Sequence, residues 1–145
     1  TINMNLSFRD NGARPMGIIV TNSTSGGLTF NGQIELTNSM TFLGIGSSNA
    51  STPITFNGSI VGNKGIIIGT NVFDTSGGFT RGVVVFNGSN SYTGTTDIRR
   101  GTLVITNANS LSTNNVLLGF AASAGNNVDT TLVVNGTTTA SNSFG

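Results

Sequence analysis

A five-residue phrase, apolar, any, apolar, Asn, Gly, recurs along this chain and constrains its fold more than any other feature. It reads LTFNG at Leu28 to Gly32, ITFNG at Ile54 to Gly58, VVFNG at Val84 to Gly88 and LVVNG at Leu132 to Gly136. The Asn positions 31, 57, 87 and 135 lie 26, 30 and 48 residues apart. The last gap is close to two units and encloses a related LVITN phrase, Leu103 to Asn107. Self-similarity at a period of about 20 to 50 residues marks a solenoid or a propeller, in which each unit buries its apolar face only against its neighbours.

Helical units are excluded by composition. Gly, Thr, Asn and Ser supply 79 of the 145 residues, and there is one Glu, one Lys and one Gln, so good helix formers are scarce and breakers are everywhere. Disorder is excluded by the other half of the composition: 36% of residues are hydrophobic, net charge is +1, and the apolar residues gather into short β-branched runs such as Gly65 to Ile68 and Leu103 to Ile105. Unit length decides between the two all-β repeat architectures. A propeller blade needs four antiparallel strands in about 40 to 50 residues, whereas a coil of a parallel β-helix needs three short strands and their corners. Units of 26 to 30 residues fit the coil. The chain is therefore read as all-β, a parallel β-helix or β-solenoid of about four to six coils, forming a single segment over residues 1–145.

Strand parity then assigns directions. Leu28 and Phe30 face inward and Thr29 outward, and the same holds for Ile54 with Phe56 and Val84 with Phe86. Coils stacked about 4.8 Å apart lay Phe30, Phe56 and Phe86 in a column and align the Asn side chains in a hydrogen-bonded ladder. Asn31-Gly32, Asn57-Gly58, Asn87-Gly88 and Asn135-Gly136 turn corners, where the glycines are expected to supply a positive φ. Both ends look unfinished, since Thr1 begins within a strand phrase and Phe144-Gly145 follows a polar run. The expectation is a fragment of a longer solenoid or a subunit that stacks end to end.

The residues that are missing narrow the chemistry. With no His and no Cys, Cys/His zinc sites, Ser-His-Asp and Cys-His nucleophile systems and disulfides have no parts, and no cofactor is expected. A net charge of +1 gives no electrostatic case for nucleic acid or for an anionic membrane, and no run approaches the roughly 18 apolar residues of a spanning helix. Enzymes built on β-helices cut polysaccharides with clustered carboxylates and a base. Here Asp10, Glu35, Asp74, Asp97 and Asp129 are far apart in sequence, and only a stacked pair such as Asp74 with Asp97 would bring two together.

One stretch carries a family resemblance: VVVFNGSNSYTGTTDIRRGTLVITNANSL, residues 83–111. Gly88, Asn90, Ser91, Tyr92, Thr93, Gly94, Thr95, Thr96, Gly101, Thr102 and Leu103 match the pattern of an apolar strand, a Gly/Asn/Tyr/Gly turn, a Thr-rich strand and a Gly-Thr-Leu strand. In this it resembles the autotransporter-associated β-strand repeat of bacterial type V secretion passengers. Asp97 with Arg99-Arg100 departs from that pattern, which more often has an apolar residue and small polar ones there. The resemblance implies a right-handed parallel β-helix displayed on the bacterial cell surface or released outside the cell.

Tyr92, the only tyrosine, reads as a packed corner residue with its hydroxyl toward water rather than as a sugar platform, and Arg99-Arg100 as a solvated corner. The function expected is non-catalytic: a structural or adhesive segment acting as stalk, scaffold, adhesin or filament subunit. Its partners would be other copies of itself stacked end to end, or surface glycans. The alternative is a polysaccharide-binding or polysaccharide-processing β-helix, similar to a lyase or tailspike.

Overall fold

Among the described residues, short β-branched runs separated by Gly, Asn and Ser become fourteen strands. They are β1 (Leu6–Phe8), β2 (Met16–Thr21), β3 (Leu28–Phe30), β4 (Ile34–Leu36), β5 (Phe42–Ser47), β6 (Ile54–Phe56), β7 (Ile60–Gly62) and β8 (Gly65–Ile68). After these come β9 (Val83–Phe86), β10 (Thr96–Ile98), β11 (Gly101–Ile105), β12 (Val116–Leu118), β13 (Thr130–Val134) and β14 (Thr137–Asn142). The structure is a computed structural model and describes residues 1–8, 16–21, 26–37, 42–47, 51–69, 82–107, 109–111, 115–119, 130–134 and 137–142. Among the described residues there is no helix.

The strands form three sheets: a three-stranded one in the order β1-β4-β7, a five-stranded one in the order β12-β10-β8-β5-β2, and a six-stranded one in the order β14-β13-β11-β9-β6-β3. Every pairing is parallel except β13 with β14. The chain visits the six-, three- and five-stranded sheets in turn and returns to the first, which makes it a β-solenoid. Three turns touch all three faces: Ile2 with β1 and β2, then β3-β4-β5, then β6-β7-β8, where Ile2 joins the six-stranded sheet through a bridge to Phe30. The next turns, β9-β10 and β11-β12, contribute strands to two sheets only. In the first of them Ser91 and Thr93 still donate their N–H groups to the Ile60 and Gly62 carbonyls and so follow β7 without forming a strand.

Register turns the alternating pattern into columns. In the six-stranded sheet one inward column is Leu28, Ile54, Val84, Leu103 and Leu132, and the other is Phe30, Phe56, Phe86, Ile105 and Val134. Phe30 and Phe56 stack with ring centroids 5.0 Å apart and planes 6° from parallel, while Phe86 meets Phe56 edge-on at 5.6 Å and 81°. Leu43 and Ile45 of β5, Ile66 and Ile68 of β8 and Ile98 of β10 close the core from the five-stranded sheet, with Ile34, Leu36 and Ile60 from the three-stranded one.

The long gap between Asn87 and Asn135 does hold two coils, and they are unequal. β11 lies 19 residues on from β9, as Leu103 paired with Val84 shows, because only Arg99-Arg100 separates β10 from β11.

The Asn-Gly glycines differ from expectation. Gly26, Gly62, Gly69, Gly101 and Gly119 have positive φ, and Gly32, Gly58 and Gly88 do not. Their requirement is closeness: a Cβ at Gly58 would sit inside the carbonyl of Gly32, one at Gly88 inside the carbonyl of Gly58, and one at Gly32 inside that of Met4. The left-handed corner expected of them falls instead at Gly101, φ 77°, where β10 hands over to β11. Asn135 and Gly136 lie outside the described residues.

Phe56 is 1% exposed and touches an aromatic ring on either side. Phe56→Ala is therefore expected to lower the unfolding free energy by about 3–5 kcal/mol, and Thr55→Ala, on the outer face of the same strand, by less than about 1 kcal/mol, both read from urea denaturation.

Candidate functional site

The repeated polar residues converge on one edge of the six-stranded sheet, just after each inward phenyl. Asn31 donates its Nδ2–H to Asn3 Oδ1 at 2.8 Å, Asn57 to Asn31 Oδ1 at 2.8 Å and Asn87 to Asn57 Oδ1 at 2.7 Å. Thr106 completes the row by donating its hydroxyl to Asn87 Oδ1 at 2.8 Å. An amide has a donor and an acceptor on opposite arms, so each Asn passes the bond to the next coil and neither arm is idle. Asn3 and Thr106 extend the row beyond the repeated phrase. Their sequence signal is faint: Asn3 follows Ile2, and Thr106 follows Ile105 in the position where the other phrases carry Asn.

A second clamp is built on Asn90. Its Oδ1 accepts the Ile60 N–H at 2.7 Å from the coil on one side, and its Nδ2 donates to the Ser110 carbonyl at 2.5 Å on the other, so a single side chain pins three coils. Ser110 is fully buried and donates its hydroxyl to the Gly88 carbonyl at 3.0 Å. In the first turn Asn5 Oδ1 makes the equivalent acceptor contact, taking the Gln33 N–H at 2.8 Å.

Tyr92 is inside the core, 1% exposed, and its hydroxyl lies 2.5 Å from Thr96 Oγ1. The expectation that its hydroxyl reaches water is corrected. Thr96 shares an inward column with Ile66 and Val116, which puts a hydroxyl into the apolar interior, and the phenol is what partners it there. Thr96 escaped the sequence reading as a core residue because a Thr-rich strand reads as surface. The remaining members of the matched stretch have equally structural positions: Gly94 lies against the Lys64 and Gly65 backbone, where a Cβ would not fit, and Leu103 is in the core.

The Arg pair is not a solvated corner. Arg99 Nε donates to Asp97 Oδ2 at 2.7 Å in a half-buried ion pair, and Arg100 is 7% exposed. Arg100 is drawn in because its Cβ lies over Gly69, whose own missing Cβ makes the room. Asp97 stands in the outward column between Ile67 and Leu117, so its stacked neighbours carry no charge. Asp74, its suggested partner, lies outside the described residues, as do Asp10 and Asp129.

An open depression among the described residues, at the end of the three-stranded sheet, is lined by Glu35, Leu36, Thr37, Gly62 and Asn63. Glu35 is its only carboxylate; Oε2 accepts the Ser7 hydroxyl at 2.9 Å. Thr37 is turned away, donating to the Phe8 carbonyl at 2.7 Å. A single acceptor beside an amide and an apolar floor can hydrogen-bond a hydroxyl, and among the described residues that line it Glu35 is the one titratable group. Among the described residues no three of His, Cys, Asp and Glu gather as metal ligands.

Two measurements test these assignments. Tyr92→Phe leaves the Thr96 hydroxyl without its phenol partner in the core and is expected to cost about 1–3 kcal/mol in urea unfolding. Gly58→Ala drives a methyl into the Gly32 carbonyl and is expected to cost about 1–3 kcal/mol or more, whereas Gly88→Ala and Gly58→Ala together are sub-additive because they strain adjacent levels of one stack.

The chain matches no protein-family model, no curated protein and no solved structure.

Proposed function

We propose that this chain is a non-catalytic structural or adhesive β-solenoid segment of a secreted or surface-displayed bacterial protein, serving as a stalk, scaffold, adhesin or filament-forming subunit. The observation that carries the reading is where the repeated residues spend their chemistry. Asn31, Asn57, Asn87, Asn90 and the stacked glycines all contact neighbouring coils, so the repeated pattern holds the coils together. The resemblance of residues 83–111 to the autotransporter-associated repeat supports an extracellular or cell-surface setting. The sparse charge supports a surface that works through many weak polar contacts, with other copies or with glycans.

A polysaccharide-binding solenoid is the second reading, and the depression at Glu35 favours it. The two separate in one set of measurements on the purified chain. The scaffold reading expects elongated particles by small-angle scattering or electron microscopy, no release of reducing ends from acidic or neutral polysaccharides, and self-association that rises with concentration or retention on glycan arrays that survives Glu35→Ala. Cleavage of any polysaccharide, abolished by Glu35→Ala or Asp97→Ala, would overturn it.

A further inference from the structure

The Asn-Gly pairs are chemically the most fragile dipeptides in the chain, and the coil stack places Asn57-Gly58 and Asn87-Gly88 where that fragility is suppressed. An Asn followed by Gly deamidates when the glycine nitrogen attacks the side-chain Cγ, because no Cβ on the second residue obstructs the approach. The new N–C bond closes a five-membered imide, the bond from Cγ to the side-chain nitrogen breaks, and that nitrogen leaves as ammonia. Water then opens the imide to Asp or to isoaspartate. Nothing but water is consumed.

In the fold each participant is occupied. The Gly58 N–H points at the Phe30 carbonyl at 3.3 Å, alongside the Asn57 N–H at 2.8 Å, and Gly88 and Asn87 repeat this on the Phe56 carbonyl at 3.3 and 2.9 Å. The electrophile is held too: Asn57 donates to Asn31 and accepts from Asn87, and Asn87 donates to Asn57 and accepts from Thr106. For Gly58 nitrogen to reach its neighbour's Cγ, the glycine must leave the Phe30 carbonyl and the amide must leave both ladder partners. That combination is an opening of the coil, and not a side-chain rotation.

We propose that Asn57-Gly58 and Asn87-Gly88 are deamidation sites gated by coil stacking, closed while the coils are stacked and open in the unstacked chain. The lesion is also one-way. An Asp at position 57 has no Nδ2–H to give, so its carboxylate faces the Asn31 Oδ1 acceptor with nothing between them. Isoaspartate adds a backbone atom beside Gly58, whose backbone already lies against the Gly32 carbonyl with no room to spare. A chain that deamidates while unstacked therefore restacks poorly. This inference rests on the ladder alone and stands or falls separately from the scaffold reading.

The test is peptide mapping by mass spectrometry after parallel incubation at mildly alkaline pH, native and in guanidinium chloride. Deamidation at Asn57 and Asn87 is expected to be at least about tenfold slower in the native protein. Gly58→Ala, tested in denaturant so that folding does not matter, is expected to slow the reaction at Asn57 and leave Asn87 unchanged, which identifies the neighbouring nitrogen as the attacking atom. The chain deamidated in denaturant is expected to recover less native circular dichroism on dilution than an undeamidated control. Equal rates in the two conditions, or full recovery with an unchanged melting temperature, would overturn the proposal.

Discussion

Parallel strands hydrogen-bonded coil upon coil, at about 4.8 Å, put each residue directly beside its counterpart one turn away. Each position must then be compatible with itself. Phenyl on phenyl satisfies the condition by stacking, and Asn on Asn by the complementary arms of the amide. Glycine satisfies it by leaving the space to a carbonyl. Like charges cannot satisfy it, since two carboxylates at that separation repel even in water. The scarcity of charged residues, 11 in 145, follows from the same rule. The two carboxylates that the structure describes obey it locally: Glu35 lies between Ser7 and Val61, and Asp97 between Ile67 and Leu117.

The rule also explains which parts of the fold could be read beforehand. Inward and outward parity at Phe30, Phe56 and Phe86 was legible because a strand has only two faces and the phrase ends in a recognisable corner. The ladder's end members were not. Asn3 and Thr106 hold their places by register, and register is a relation between distant residues that no local pattern displays. Thr96 was hidden for a different reason: a Thr-rich strand reads as surface, and its burial is satisfied by the Tyr92 hydroxyl four residues earlier in the same coil. Arg100 read as surface because charge normally means water, and its burial depends on a glycine in the adjacent coil.

Glycine in Asn-Gly was assigned a correct place and a mistaken reason. Sequence reasoning associates the dipeptide with positive φ because isolated hairpins need it. A solenoid corner has a different constraint, the carbonyl of the coil beside it, and a backbone that never enters the left-handed region still excludes every side chain there.

Self-compatibility divides the chain into two kinds of position. Strand positions are committed to their neighbours, so a change there propagates along the stack in both directions, as expected of nearest-neighbour coupling. Corners are freer. Successive members of the Asn row are separated by 28, 26, 30 and 19 residues, yet the row is unbroken, so the whole variation in coil length is absorbed between strands. The depression beside Glu35 of β4 reaches such a place at Thr37 and Asn63, just after β4 and β7, and Arg99 lies at another, between β10 and β11. Chain length between the strands can therefore vary without breaking the stack, whereas corner glycines that meet a neighbouring carbonyl, such as Gly58, and the inward strand positions are held by the coil beside them.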